Sequence, residues 1–176
     1  MSPLQFSVSV RCRLLARYTG SCLRLLGLVP IGVAFSFAIL GLVQWIKRRK
    51  FARVDKSLFV LGGFYIAIMA VYFLFETVVI NYRPVLIGGC LEVSYPSSTT
   101  LLVMCVMPTA MMQFKARIKN KMFRLCVLLI IALFIAFMVM GRLFSGVHWI
   151  TDIIGGALVS AGLVMMYAYV CNIKSR

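Results

Sequence analysis

The chain has 176 residues, 62% of them apolar and 13% charged, with a mean hydropathy of +1.01. Soluble domains carry about 25% charged and about 45–50% apolar residues, so this balance excludes a soluble globular protein and points to one built into a bilayer. Charge is one-sided: 19 Lys and Arg stand against four Asp and Glu and one His, a net charge of +15. These bases sit in short clusters between apolar runs, which orients a membrane protein and brings it against anionic lipid headgroups. No basic segment is long enough to form a nucleic-acid-binding domain, so membrane lipids and not nucleic acid are the expected partners.

Residues 1–24 carry Arg11, Arg13, Arg17 and Arg24 and are too polar to span. They read either as a basic interfacial segment or as the altered remainder of a first membrane helix. Residues 25–176 read as one transmembrane domain. A bilayer core of about 30 Å needs about 20 apolar residues per helix. Leu25–Ile46, Ser57–Ile80, a shorter Ser97–Phe114, Leu125–Gly141 and Ile153–Cys171 supply five predicted spans. Helices are expected because backbone in lipid must satisfy its own hydrogen bonds, and no run alternates as a barrel strand would. The expected fold is therefore all-α, a polytopic membrane helix bundle.

Loop charge predicts the sides. Lys47 to Lys50, Arg53 and Lys56 follow the first span, Lys115 to Arg124 hold five bases after the third, and Lys174 and Arg176 follow the fifth. The positive-inside rule places these segments in the cytoplasm. Residues 81–96 and 142–152, with Arg83, Glu92, Arg142, His148 and Asp152, then face the other side. Short loops on a compact chain suggest a multi-pass protein of a bacterial inner membrane. The six cysteines form no CxxC pair, and with a single His no metal site or cofactor is expected.

Ionisable groups at membrane depth or in tight loops are costly and point to function. The most specific stretch runs from Gly141 to Asp152. On a helix, His148 and Asp152 would share a face. The carboxylate could then accept a hydrogen bond from one imidazole nitrogen and leave the other nucleophilic. Arg142 could hold an anion beside His148, since guanidinium suits the forked binding of phosphate oxygens. Tyr82-Arg83-Pro84 brings a second cation. Pro96-Ser97-Ser98-Thr99-Thr100 opens a helix with Ser97 as N-cap, and a helix N-terminus is a ready phosphate site. Each piece has a bland counterpart: an interfacial anchor for either arginine, an ordinary helix start for the serines, an aromatic belt for Tyr82 and Trp149. Their joint occurrence on one predicted face points to phosphoryl transfer through a phosphohistidine.

These residues give the chain a resemblance to the type 2 phosphatidic acid phosphatase superfamily of membrane lipid phosphatases. That family carries K-x6-R-P, then P-S-G-H, then S-R-x5-H-x3-D. Here the third motif reads Gly141-Arg142-x5-His148-x3-Asp152, the first keeps Arg83-Pro84 with Glu76 at the lysine position, and the second reads Pro96-Ser97-Ser98-Thr99. The resemblance covers roughly Ser57 to Cys171. It implies a six-span core with the motifs on the outer ends of the last four spans, of which this chain shows five with a shortened or altered start. It further implies His148 as nucleophile, Asp152 as its orienting carboxylate, and Arg83 and Arg142 as grips on the phosphoryl oxygens. The backbone at Ser97 and Ser98 would complete the cradle, without a metal.

Glu76 and Thr99 are the degenerate positions. Thr99 stands where the family has the acid that protonates the leaving alcohol, and losing a positioned acid costs about 10²–10⁴ in rate. Two expectations follow. One is a phosphatase acting on a lipid phosphate or diphosphate of the phosphatidate, phosphatidylglycerophosphate or polyprenyl diphosphate type, with its active site facing outward. The other is an impaired relative that binds phosphorylated lipid without turnover.

Overall fold

The computed structural model describes residues 25–48, 56–83, 93–146 and 148–173. The basic segment 1–24, the loop bases Arg49, Lys50 and Arg53, Pro84, Glu92, Lys174 and Arg176 lie outside the described residues. Five α-helices follow in order: α1 Leu28–Arg48, α2 Lys56–Thr77, α3 Ser98–Arg117, α4 Lys121–Phe144 and α5 Ile150–Ile173. Among the described residues the extended pairing is one antiparallel bridge, Tyr82 with Val93.

The helix ends differ from the expected ones for local reasons. Asn120 caps α4, its side chain accepting from the N–H groups of Met122 and Phe123, so the helix starts at Lys121 ahead of the apolar run. It continues to Phe144 and carries Arg142 in its last turn, where the negative end of the helix dipole favours a cation. Helix α2 stops at Thr77, not Ile80. There the Thr77 hydroxyl bonds back to the carbonyls of Phe73 and Leu74 at 3.2 and 2.8 Å, and the β-branched run Val78-Val79-Ile80 leaves the helix.

Helices α1, α2, α4 and α5 are long and apolar enough to cross a membrane. Helix α3 is less apolar because it is the central one, packed against all four others. Its buried residues, among them Leu101, Val103, Cys105, Met107, Thr109 and Gln113, leave it little need of a lipid-facing surface. Thr109 satisfies its hydroxyl on the carbonyls of Cys105 and Val106, each at 2.9 Å, and the interior Pro108 is tolerated as it often is inside membrane bundles. On one side of α3 lie Phe37, Leu61, Phe64, Ile68 and Tyr167; on the other, Ile131 and Met138 of α4 meet Val103 and Met107. Large side chains such as Phe35, Ile66, Leu133 and Leu158 face outward, as expected where the surroundings are lipid.

Close approach of α5 to the start of α3 rests on small residues. A Cβ on Gly155 would fall 2.3 Å from the Tyr95 ring, and one on Gly156 would lie 3.5 Å from the Ser97 carbonyl oxygen. Ser160 adds a hydrogen bond from its hydroxyl to the Leu101 carbonyl at 3.3 Å. Because successive helices alternate in direction, the end of α2, the start of α3, the end of α4 and the start of α5 meet at one end of the bundle. Lys47, Lys115, Lys119, Lys121 and Arg124 gather at the other.

Candidate active site

The four helix ends bring three separated segments together. Ser94 N–H donates to the Asn81 carbonyl at 2.8 Å, and Ser97 N–H to the Asp152 carbonyl at 3.2 Å. The Trp149 indole N–H donates to the Tyr82 carbonyl at 3.0 Å, so these two aromatics, expected only as interfacial residues, also lace the two loops together. The Tyr95-Pro96 bond is cis, at the corner where the chain turns into α3.

His148 does not share a helical face with Asp152. It lies in the turn before α5 begins, and its Nδ1 is 3.9 Å from Asp152 Oδ2, too long for the direct hydrogen bond expected from the spacing. Ser94 fills the gap. Its hydroxyl donates to Asp152 Oδ2, and its oxygen lies 3.2 Å from His148 Nδ1. With the Ser94 proton committed to the carboxylate, the oxygen accepts Nδ1–H, which puts the lone pair on Nε2. Asp152 is fully buried and also receives Asn81 Nδ2 at 3.3 Å and the Trp149 N–H at 3.0 Å. Three donors on one carboxylate are what burial of such a group requires.

The imidazole is held neutral. Burial first, and then the positive fields of Arg83 and Arg142, push His148 down to about 4, against the opposing pull of Asp152 and the contact with Ser94. A neutral ring keeps its lone pair available at ordinary pH. Arg142 is buried and donates to the Thr99 hydroxyl at 2.5 Å. Thr99, the residue the resemblance set at the acid position, therefore braces a cation.

His148, Arg83, Ser94, Ser98, Tyr72, Phe75, Glu76 and Tyr95 line a common cavity of about 470 Å³. Of the two serines expected to complete a cradle, Ser97 is wholly buried, with its N–H given to Asp152 and its hydroxyl oxygen accepting from Thr100 at 3.1 Å. Ser98 reaches the cavity and Ser97 supports the wall behind it. Among the described residues, no three His, Cys, Asp or Glu side chains converge as metal ligands.

A model of the PAP2 superfamily matches residues 76–175, more than half of the chain, and takes in Glu76, Arg83, Ser94, Ser98, Arg142, His148 and Asp152. The chain belongs to the PAP2 superfamily. Its fold is similar to the crystal structure of the first transmembrane PAP2-type phosphatidylglycerolphosphate phosphatase from Bacillus subtilis, with a TM-score of 0.53 and 17% identity over 94% of this chain and 87% of that one. A search of curated proteins found no match. The expected membership and the all-helical membrane fold both stand. At 17% identity the structural likeness extends to the fold alone.

Sequence reasoning missed Ser94 and Asn81. Neither belongs to a spaced motif, and they reach Asp152 across 58 and 71 residues. The one available signal was that both lie in the short polar loops that flank the motif residues.

Proposed function

We propose that this PAP2 member is a multi-pass cell-membrane phosphatase that hydrolyses a lipid phosphate or diphosphate through a phosphohistidine on His148. The carrying observation is a buried, neutral imidazole whose Nδ1 is anchored through Ser94 to Asp152, at the wall of a cavity that also holds Arg83 and the start of α3. In the first step Nε2 attacks phosphorus and the bond to the leaving oxygen breaks. The imidazolium that forms keeps its Nδ1 proton on Ser94, backed by the Asp152 charge. Arg83 and Arg142 hold the non-bridging oxygens, and such preorganised charge is the main catalytic contribution in phosphoryl transfer. Water then attacks phosphorus as the P–Nε2 bond breaks, which releases phosphate and returns the neutral ring; the proton that water gives up balances the one the departing oxygen takes from solvent. The name of the Bacillus subtilis neighbour makes phosphatidylglycerophosphate the first substrate to try. In this reading the site faces away from the cytoplasm, in line with the loop charges, within a transmembrane domain of residues 25–176.

One observation favours a second reading, binding of phosphorylated lipid without turnover. The Thr99 hydroxyl is engaged with Arg142, and the resemblance sets Thr99 at the acid position. Phosphate release from a panel of lipid mono- and diphosphates separates the two. Release by the parent that vanishes in His148→Ala, with the fold intact, is expected for the phosphatase. No release by the parent, with lipid phosphate binding that is lost in Arg142→Gln, would replace it with the binding reading.

A further inference from the structure

The second half of α1 and the first half of α2 run side by side at the basic end of the bundle and leave a groove of about 520 Å³. Its lining runs from Phe37 to Trp45 on α1 and from Leu58 to Ile66 on α2, and none of the lining residues carries a charge. Gly41, Gly62 and Gly63 keep it open, since a Cβ added to any of them would meet no atom within 4 Å. At about 1.5 Å per residue each lining track covers about 12 Å, close to one leaflet of a bilayer core about 30 Å thick. The groove thus has the reach of a lipid tail; a crossing helix would need a track along the whole span. The chain beside its open end is strongly positive: Lys47, Arg48, Arg49, Lys50, Arg53 and Lys56 stand against the single acid Asp55. Arg48 follows Trp45 by three positions and Lys56 precedes Phe59 by three, so each falls on the groove-side face of its helix, one turn beyond the lining.

We propose that this groove binds an anionic glycerophospholipid of the leaflet at the basic end, with one acyl chain between α1 and α2 and its phosphate at the level of Arg48 and Lys56. An apolar opening alone would take the tail of any lipid. The bases choose the headgroup, because each cation near the membrane surface favours an anionic one. Trp45, the lining residue nearest that surface on α1, suits the boundary between tail and headgroup. The groove shares no lining residue with the His148 cavity, so its lipid is a ligand separate from the substrate proposed above, and the proposal stands whether or not His148 turns over.

The test uses phosphatidylglycerol and phosphatidylcholine with brominated acyl chains, titrated into the whole chain in maltoside micelles. Bromine quenches indole fluorescence on contact. Trp45 lines the groove and Trp149 lies at the other end of the bundle, so quenching that disappears in Trp45→Phe belongs to the groove. Phosphatidylglycerol is expected to reach half of that quenching at about tenfold lower mole fraction than phosphatidylcholine, the scale of one or two cations beside an anionic headgroup. Arg48→Gln with Lys56→Gln is expected to bring the two lipids together. Gly63→Leu, whose added side chain starts in open space, is expected to abolish Trp45 quenching by both. If Gly63→Leu lowers the Tm, the paired charge variant decides alone. Equal quenching by both lipids in the parent, a preference that survives the paired variant, or full quenching in a stable Gly63→Leu overturns the proposal. Absence of Trp45 quenching in the parent overturns it too, and a dimer in sedimentation that Gly63→Leu dissociates would then put a second copy on the groove.

Discussion

The two ends of the bundle each hold a polar cluster joining α2, α3 and α5, and they differ in what the polar atoms face. At the basic end Gln113 is buried, its Nε2 donating to the Tyr167 hydroxyl at 2.5 Å and to the Ser57 carbonyl at 3.5 Å. Its Oε1 accepts from the Arg117 guanidinium, which lies over the Phe37 ring at 6.0 Å. Donors and acceptors there are spent on one another. At the other end the His148, Arg83, Glu76 and Ser94 side chains line a common cavity, while the buried Asp152 is satisfied by Ser94 and Asn81. Buried polarity alone is therefore no sign of a site. A site shows ionisable groups of both signs around a volume a ligand can enter, held by a layer whose bonds are complete.

That contrast can be broken most sharply at Asp152. Asp152→Asn removes the charge that balances the imidazolium and replaces one acceptor oxygen with a donor, disturbing both Ser94 and the Trp149 N–H. A fall of about 10³-fold or more in kcat is expected, by analogy with removal of an orienting carboxylate from other imidazole-based sites. Phosphate release would measure it, and an activity within tenfold of the parent would remove Asp152 from the machinery. Next in size is Arg83→Gln, with an expected loss of about 10²–10³-fold, the scale of one oxyanion donor. This variant also carries a sign. Burial and the two arginines hold His148 near 4, so protonation of the nucleophile does not limit the parent above about pH 5. Losing the Arg83 charge lets the imidazole rise towards its ordinary value near 6.5. The acid limb of the pH–rate profile therefore moves to higher pH in the variant, and an unmoved limb would show that Arg83 does not act on His148.

Ser94→Ala is the gentler cut. It takes away the bridge between Nδ1 and Asp152 without touching a charge. The ring can then adopt the wrong tautomer part of the time. A drop of about 10–100-fold in kcat with KM little changed is expected, partly restored in Ser94→Thr, which keeps the hydroxyl. A loss confined to KM would mean that Ser94 contacts the substrate and does not position His148.

The outward-facing helices were legible because lipid demands long apolar runs, and α1, α2, α4 and α5 show them. Helix α3 reads more weakly, since a helix surrounded by protein can carry Thr100, Thr109 and Gln113 inside the bundle. Spacing singled out His148, Asp152 and Arg142 as candidates, and the turn between α4 and α5 does bring them to one end of the bundle. It also misled over their contact: the i,i+4 rule assumes a continuous helix, and the turn at Gly146, with φ of 64°, sets His148 ahead of α5. The Ser94 bridge, the Asn81 donor and the brace from Arg142 to Thr99 were illegible for a common reason. Each is a contact between segments far apart in the chain, made by residues whose types are ordinary in loops and helix starts. Gly155-Gly156 was the closest thing to a clue, since paired glycines in a membrane helix mark a close approach without saying what approaches.

The smallest expected effect tests the quiet end of the bundle. Gln113→Leu keeps approximate volume but leaves the Tyr167 hydroxyl and the Arg117 guanidinium to find other partners. In water a buried group so deprived would cost about 1–3 kcal/mol. Inside membranes, side-chain hydrogen bonds average about 0.6 kcal/mol and seldom exceed about 1.7, because the unfolded state in lipid also finds partners. A destabilisation of about 1 kcal/mol is therefore expected, seen as a lowered Tm in a fixed detergent, with kcat at a permissive temperature unchanged. The two readouts must separate for the comparison to hold. If kcat fell while Tm stayed put, the Gln113 cluster would be communicating with the cavity along α3, and the division between a structural end and a working end would be wrong.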